Sequence, residues 1–194
     1  VVPKVNSAAD VAEVERIIEA AGVPDHTRIW AMLETPAAVE AAVEIATSSE
    51  RLAVLVMGTN DLAREIRSRL GAADRHPLVP HLATALLAAR EAGKAILDGV
   101  YNDVKDLDGF RAECVQGMEM GFDGKTLIHP GQIEPCNAVF APSAAEVADA
   151  EAIVAAWRAG GGRGVVTHNG RMIERLHVDI AEQTLAKHEV IDNI

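Results

Sequence analysis

Between residues 1 and 128, short runs of β-branched and apolar side chains alternate with longer stretches of helical period, and this alternation constrains the fold more than any other feature. The strand-like runs fall at 1–4, 29–34, 53–58, 95–100 and 125–128. Their starts lie 24 to 42 residues apart, room for one crossover helix each, which is the spacing of a parallel sheet built from βα units. The punctuation agrees. Ser7 with Asp10 three positions on makes a carboxylate variant of the capping box, and Gly22 closes the helix so begun. Thr35 followed by Pro36 is an N-cap and first-turn pair placed directly after Glu34. Gly93 and Gly121 mark later helix ends.

After Ile128 the pattern changes. A helix is expected from Ser143, with Glu146 completing a capping box, then the connector AGGGRG (159–164), a hairpin GVVTHNGRMI (164–173) turning at Asn169-Gly170, and a last helix from Glu174. AGGGRG lacks the strand, spacing and helix of a phosphate loop. With a strand signal at its very start, the first part reads as the remainder of an eight-stranded barrel. The expected architecture is an α/β fold, a TIM (β/α)8 barrel whose N-terminal strands are missing from this sequence. Residues 1–140 would be the C-terminal part of that barrel and 141–194 a helix-hairpin-helix extension.

Charge and length narrow the partners. Eighteen basic against 29 acidic residues leave a formal charge of −11, which argues against a nucleic-acid or anionic membrane surface and means that an anionic substrate would need local positive charge. The longest apolar runs, LAVLVM (52–57) and ATALLAA (83–89), fall far short of the ~20 residues that cross a bilayer. Cys114 and Cys136, without paired spacing, suggest buried small hydrophobes in a reducing compartment; with no export signal in VVPKVNSAAD, a soluble cytoplasmic protein is the expectation.

Chemistry is expected at two acids. Glu34 ends one strand-like run and Asp61 lies just past the next, on the face where a parallel barrel builds its active site. Neighbouring strands run ~4.8 Å apart, so the two carboxylates can converge on one small ion. Mg²⁺ suits them, because it accepts one or two carboxylates and keeps other positions for water and substrate oxygens. The alternative is structural: Glu34 capping its own helix, and Asp61 serving as a cap carboxylate.

The segments ETPAAVEAAVEIA (34–46), MGTNDLA (57–63) and GFDGKTLIHPGQI (121–133), together with Pro3-Lys4, DGVYND (98–103) and GRMIERLHV (170–178), resemble the citrate lyase β / malyl-CoA lyase family, within the HpcH/HpaI aldolase superfamily. The resemblance covers essentially the whole chain. It implies a TIM barrel, trimeric or hexameric, that cleaves or forms a carbon–carbon bond between a CoA thioester and a 2-oxo acid. It places the metal-binding pair on Glu34 and Asp61, and likens Gly58, Thr59 and Asn60 to the turn whose amides meet the substrate carboxylate. An ordinary strand-to-helix turn is the competing account of those three.

Thr126, Leu127 and Ile128 are expected on the last strand, their backbone lining the pocket floor or simply packing in the core. The tail position that is Asp in similar enzymes, and reaches a neighbouring subunit's site, is Glu174 here. It keeps the carboxyl group and adds a methylene, and it is the candidate for exchanging a proton with substrate. The family's arginine for the oxo acid comes from an earlier strand than any in this sequence.

The implied activity is Mg²⁺-dependent cleavage of malyl-CoA, citramalyl-CoA or citryl-CoA to acetyl-CoA and a 2-oxo acid, with thioester hydrolysis as a variant. A class II aldolase acting on a free hydroxy-oxo acid and a non-catalytic complex subunit are the alternatives. Among other residues, Asp98 and Asp103 are either near the pocket or structural. Lys125 is expected in a buried or surface ion pair, and Trp30 and Trp157 in packing. His129 faces the active side but lacks companion zinc ligands, leaving substrate contact or a structural place, and His168 and His177 are expected as solvated or interface residues.

Overall fold

The computed structural model describes residues 1–69 and 75–193. It divides into two compact units, Val1–Phe140 and Ala141–Ile194. Among the described residues no helix is long and apolar enough to cross a membrane.

In the first unit, α1 (Ala8–Ala20) is opened by the expected capping box: the Ser7 amide donates to Asp10 at 3.0 Å and the Asp10 amide to Ser7 Oγ at 3.4 Å. The strands β1 (Ile29–Leu33), β2 (Leu52–Met57), β3 (Ala95–Asp98) and β4 (Gly124–Lys125) form an open parallel sheet in that order. Two short helices, α2 (Pro36–Glu40) and α3 (Ala42–Thr47), connect β1 to β2. After β2 come α4 (Thr59–Glu65) and α5 (Val79–Glu91), and after β3 comes α6 (Leu107–Met120). A 3₁₀ turn at Pro130–Gln132 leads into α7 (Ile133–Phe140).

The period of two along each strand decides what each face does. Ile29, Ala31 and Leu33 on β1, with Leu55, Met57 and Ile96 on its neighbours, are buried in one core together with Ala38, Ile45, Leu62, Leu82, Ala85 and Phe110 from the helices. Each fully buried Leu or Ile there contributes about 1.5–3 kcal/mol. Trp30 and Met32 alternate with those core positions, and the register Trp30↔Val54 and Met32↔Val56↔Leu97 aligns the second face across the sheet. That face is more open: Trp30 is 38% exposed.

Two expected strands shrink. Residues 1–4 make a single parallel bridge, Val2 to Ala31, with Val2 donating to Trp30 O (2.8 Å) and accepting from the Met32 amide (2.9 Å). Pro3 has no N–H for a ladder, and Lys4, at φ 52°, turns the chain out of the extended region. The run at 125–128 reduces to Gly124–Lys125; Thr126 still bonds Asp98 O, but Leu127 and Ile128 lie beyond the sheet, correcting their expected place on a strand. The described sheet thus has four strands rather than the expected five, all parallel.

The second unit has the expected order. Helix α8 (Ala144–Ala159) begins at the Ser143–Glu146 capping box. The hairpin of β5 (Val166–His168) and β6 (Arg171–Ile173) turns through Asn169 (φ 49°) and Gly170 (φ 73°), the two positive φ values of a type I′ turn. Helix α9 (Arg175–Asp192) shares one buried cluster with α8, formed by Ala150, Ile153, Val154 and Trp157 of α8, Ile173 of β6, and Val178 and Ala181 of α9.

Candidate active site

Leu33 and Met57 are partners in the parallel ladder, so the residues that follow them, Glu34 and Gly58, leave the sheet side by side. The Gly58 amide donates to Leu33 O at 3.0 Å. A methyl group on Gly58 would lie 2.2 Å from Glu34 Cβ and 2.5 Å from its Oε2, so the missing side chain makes the space that the Glu34 carboxylate fills. With its amide engaged, Gly58 serves by clearance. The first-turn amides of Thr59 and Asn60 at the start of α4 have no intrahelical acceptor and remain the candidates for an anion.

Thr35 is the cap of α2, its Oγ1 accepting from the Ala38 amide at 3.1 Å, so the helix does not need the Glu34 carboxylate. Glu34 is only 5% exposed, and its Oε1 accepts the Lys4 amide at 2.8 Å. Asp61 sits in the first turn of α4 rather than at its cap. Its Oδ1 receives both Lys4 Nζ and Arg64 Nη2 at 2.8 Å. These partners, Lys4 foremost through its hydrogen bond, hold the Asp61 carboxyl below its ordinary value of 3.8. Lys4 therefore touches both expected metal ligands, one with its backbone and one with its ammonium group.

Glu34, Gly58, Thr59, Asn60, Asp61 and Thr126 line one pocket of about 240 Å³, whose remaining wall is Val1, Trp30, Met32, Val56, Met57 and Val100. At its rim Asn60 and Asn102 exchange two side-chain hydrogen bonds of 2.8 and 2.9 Å, joining the loop after β2 to the loop after β3. Thr59 is buried against Gly99, where an added methyl group would meet its Oγ1 at 2.2 Å. No cluster of three or more His, Cys, Asp or Glu side chains with metal-binding geometry occurs among the described residues. The donor set is two hard carboxylates beside an open pocket, a combination that fits a hydrated Mg²⁺ rather than a zinc ion held wholly by protein.

Not every expected residue reaches this pocket. Leu127 packs on the hydrophobic core and Ile128 is 52% exposed, its amide on Gln132 Oε1 at 3.1 Å. Only Thr126 of the three lines the site, with its Oγ1 on Asp98 O at 3.1 Å. Asp98 itself faces the other side of the sheet. Fully buried, it accepts from Arg75 Nη1 (2.5 Å), Lys125 Nζ (3.0 Å) and the Gly99 amide (2.7 Å), and Lys125 also meets Glu113 at 2.5 Å. His129 caps the 3₁₀ turn by accepting from the Gly131 amide at 3.0 Å. Glu174, whose expected place is the site of a neighbouring copy, lies in the second unit, half-buried ahead of α9, with its amide donating to His177 Nδ1 at 3.1 Å.

Two residues are at this site that the sequence did not place there. Trp30, expected to be a packing residue, contributes to the pocket wall. Lys4 is the more important, and its signal was the positive charge that an anionic ligand of so acidic a chain requires.

Residues 1–130 match the family model for HpcH/HpaI aldolase/citrate lyase, and the chain belongs to that family. It is 50% identical over 192 residues to a (3S)-malyl-CoA thioesterase of Cereibacter sphaeroides (strain ATCC 17025), a match covering 98% of this chain and 65% of that protein. It is 37% identical over 199 residues to the citrate lyase β subunit of Escherichia coli K12, covering 97% and 64%. Among solved structures, the Mycobacterium tuberculosis protein CitE in complex with magnesium, acetoacetate and coenzyme A superimposes with a TM-score of 0.76 at 27% identity, over 96% of this chain and 66% of that one. The chain thus spans slightly less than two thirds of the length of these relatives.

Proposed function

We propose that this chain carries the metal-binding side of the active site of a Mg²⁺-dependent acyl-CoA carbon–carbon lyase, acting on a malyl-CoA, citramalyl-CoA or citryl-CoA type of substrate to give acetyl-CoA and a 2-oxo acid. The observation that carries this reading is that Glu34 and Asp61 open onto one pocket and are both contacted by Lys4. Similarity to a malyl-CoA thioesterase and to citrate lyase β, and to a protein that binds magnesium, coenzyme A and acetoacetate, supports the substrate class. On this reading the sheet is part of a TIM barrel and the protein works as a homotrimer or hexamer.

Glu34 and Asp61 would hold Mg²⁺, which when bound supplies Lewis acidity to the oxygen beside the carbon–carbon bond that breaks. The rest falls to the chain. The Thr59 and Asn60 amides receive the carboxylate of the oxo acid at the start of α4. The apolar wall of Trp30, Met32 and Val100 excludes water from the reacting carbons. In the cleavage direction the hydroxyl proton leaves and a thioester enolate departs; in synthesis the same enolate forms when a base takes a proton from the acetyl methyl group. Glu174 of a neighbouring copy is our candidate for the group that exchanges this carbon-bound proton.

A thioesterase is the second reading, favoured by the 50% identity to a (3S)-malyl-CoA thioesterase. One assay separates the readings. The protein is given Mg²⁺, acetyl-CoA and either glyoxylate or pyruvate, or alternatively malyl-CoA, and thioester loss and product masses are followed. A condensed acyl-CoA supports the lyase, and free malate with CoA supports the thioesterase. Turnover of free hydroxy-oxo acids alone supports an aldolase, and no turnover a non-catalytic subunit. Glu34→Ala and Asp61→Ala should each abolish Mg²⁺-dependent turnover while the circular-dichroism spectrum stays native; retained activity in either removes that residue from the site.

A further inference from the structure

We infer that Lys4 is an internal counter-cation for the carboxylate pair, released when a divalent ion binds and then available to the anionic oxygen of the substrate. This rests on the reading of Glu34 and Asp61 as the metal ligands and adds a role that the reading does not require.

Residues 1–5 run beside β1, held by Val2 on Trp30 and Met32 and by the Val5 amide on Met32 O at 3.3 Å. Between these anchors Lys4 adopts a left-handed φ of 52°, unusual for a residue with a side chain. That conformation aims its amide at Glu34 Oε1 (2.8 Å) while its side chain reaches Asp61 Oδ1 (2.8 Å), 57 positions away. A lysine merely decorating the surface has no need of such a backbone. The two contacts differ in permanence. The amide is fixed by the chain path, whereas the ammonium sits at the end of a flexible stem that is 51% exposed.

A divalent ion taken up by Asp61 Oδ1, the oxygen that Lys4 holds at 2.8 Å, would put two like charges on one carboxylate oxygen, where they repel strongly at the dielectric of a partly open pocket. The ammonium must then swing away, while its Cα stays in place. Both carboxylates that Lys4 contacts line the pocket, as does Val1 three positions earlier in the same segment, so the stem can redirect and remain in reach of the ligand. Arg64, the other partner of Asp61, cannot take this part: it lies three residues further along the same helix and is bonded to Glu65 at 2.9 Å. One positive charge is thereby used twice, on Asp61 before the metal arrives and on the substrate afterwards. In a chain of formal charge −11 this supplies the local positive charge that an anionic oxo acid requires.

The test is Mn²⁺ titration by calorimetry on the full protein, with and without pyruvate, for the wild type, Lys4→Met, Lys4→Arg and Asp61→Ala, each checked by thermal melting. Lys4→Met removes the competing charge at nearly constant volume. It should bind Mn²⁺ roughly fivefold more tightly than wild type in the absence of pyruvate. Pyruvate should raise the Mn²⁺ affinity of the wild type and leave that of Lys4→Met unchanged; an equal response of the two to pyruvate overturns the substrate half of the inference. Lys4→Arg, which keeps the charge, should resemble wild type without pyruvate. A purely structural lysine would leave the metal affinity unchanged or weaken it, and either result for a folded Lys4→Met overturns the inference. If Mn²⁺ binding is absent from wild type or indifferent to Asp61→Ala, the metal-site reading fails and takes this inference with it. If Asp61→Ala loses Mn²⁺ while Lys4→Met behaves as wild type, only the inference fails.

Discussion

Glu34 and Asp98 both stand at the C-terminal ends of parallel strands two places apart in the same sheet, yet they have opposite surroundings. Asp98 is enclosed on the helix side with Arg75, Lys125 and Glu113, two positive and two negative groups that neutralise one another out of water. Gly117, in the middle of α6, gives this cluster room: a methyl group there would come within 2.9 Å of Asp98 Oδ2. Glu34 opens onto the pocket, where it meets one backbone amide, and Asp61 beside it is balanced by long side chains that are half or more exposed. A strand-end carboxylate becomes structural when fixed cations satisfy it in the interior. It stays open to a ligand when, as at Glu34, a single backbone amide leaves oxygens unsatisfied or, as at Asp61, the partners are exposed side chains that can leave.

The largest expected effect tests this contrast directly. Asp98→Ala strands Arg75 and Lys125 as buried, uncompensated charges, and should lower the free energy of unfolding by about 3–5 kcal/mol in a urea titration. Asp61→Ala should barely move the same midpoint, because its ion pairs are exposed to solvent. Equal losses of stability in the two variants would break the comparison. A second variant sharpens it from the pocket side. Gly58→Ala forces a methyl group into the Glu34 side chain, and should weaken Mn²⁺ binding roughly 10–100-fold, as the loss of a group that orients a metal ligand does. Its cost in stability should be smaller, about 1–3 kcal/mol of overpacking. An unchanged Mn²⁺ affinity would mean that the position of Glu34 is not set by that clearance.

The smallest effect concerns the loop between the two environments. The Tyr101 hydroxyl donates to Asp106 Oδ2 at 2.6 Å, and this bond, with burial and the nearby acids, pushes the phenol from its ordinary 10.0 up to about 12. It is the chain's single tyrosine, so an absorbance titration near 295 nm reads it without overlap from another phenol. Because the folded state favours the neutral phenol, the stabilisation is complete below pH 10 and is lost as the pH rises through about 12. Asp106→Asn should bring the midpoint back toward 10.0; a wild-type midpoint already near that value would show that the hydrogen bond does not persist in solution.

Helix starts were the most legible feature of the sequence, because a cap is a contact between residues three apart. Ser7, Thr35 and Ser143 each perform the role their neighbours predicted. Strand lengths were less legible. An apolar run such as Lys125 to Ile128 says only that a segment can be buried, and whether it pairs depends on the strand beside it. The four-residue β3 meets only two paired residues in β4, after which the chain turns toward Gln132.

Local sequence was enough for the alternation of strands and helices, the caps, and the strand-end positions of the two acids proposed as metal ligands, all of them properties of neighbours along the chain. Only the tertiary structure decided which face each strand-end acid occupies. That is set by the period of two along a strand together with the side from which helices cover the sheet, and no local pattern around Asp98 reveals that Arg75 and Lys125 converge on it. The same holds for Lys4, whose meeting with Glu34 and Asp61, 30 and 57 positions away, arises because parallel pairing brings distant strand ends together at one edge of the sheet.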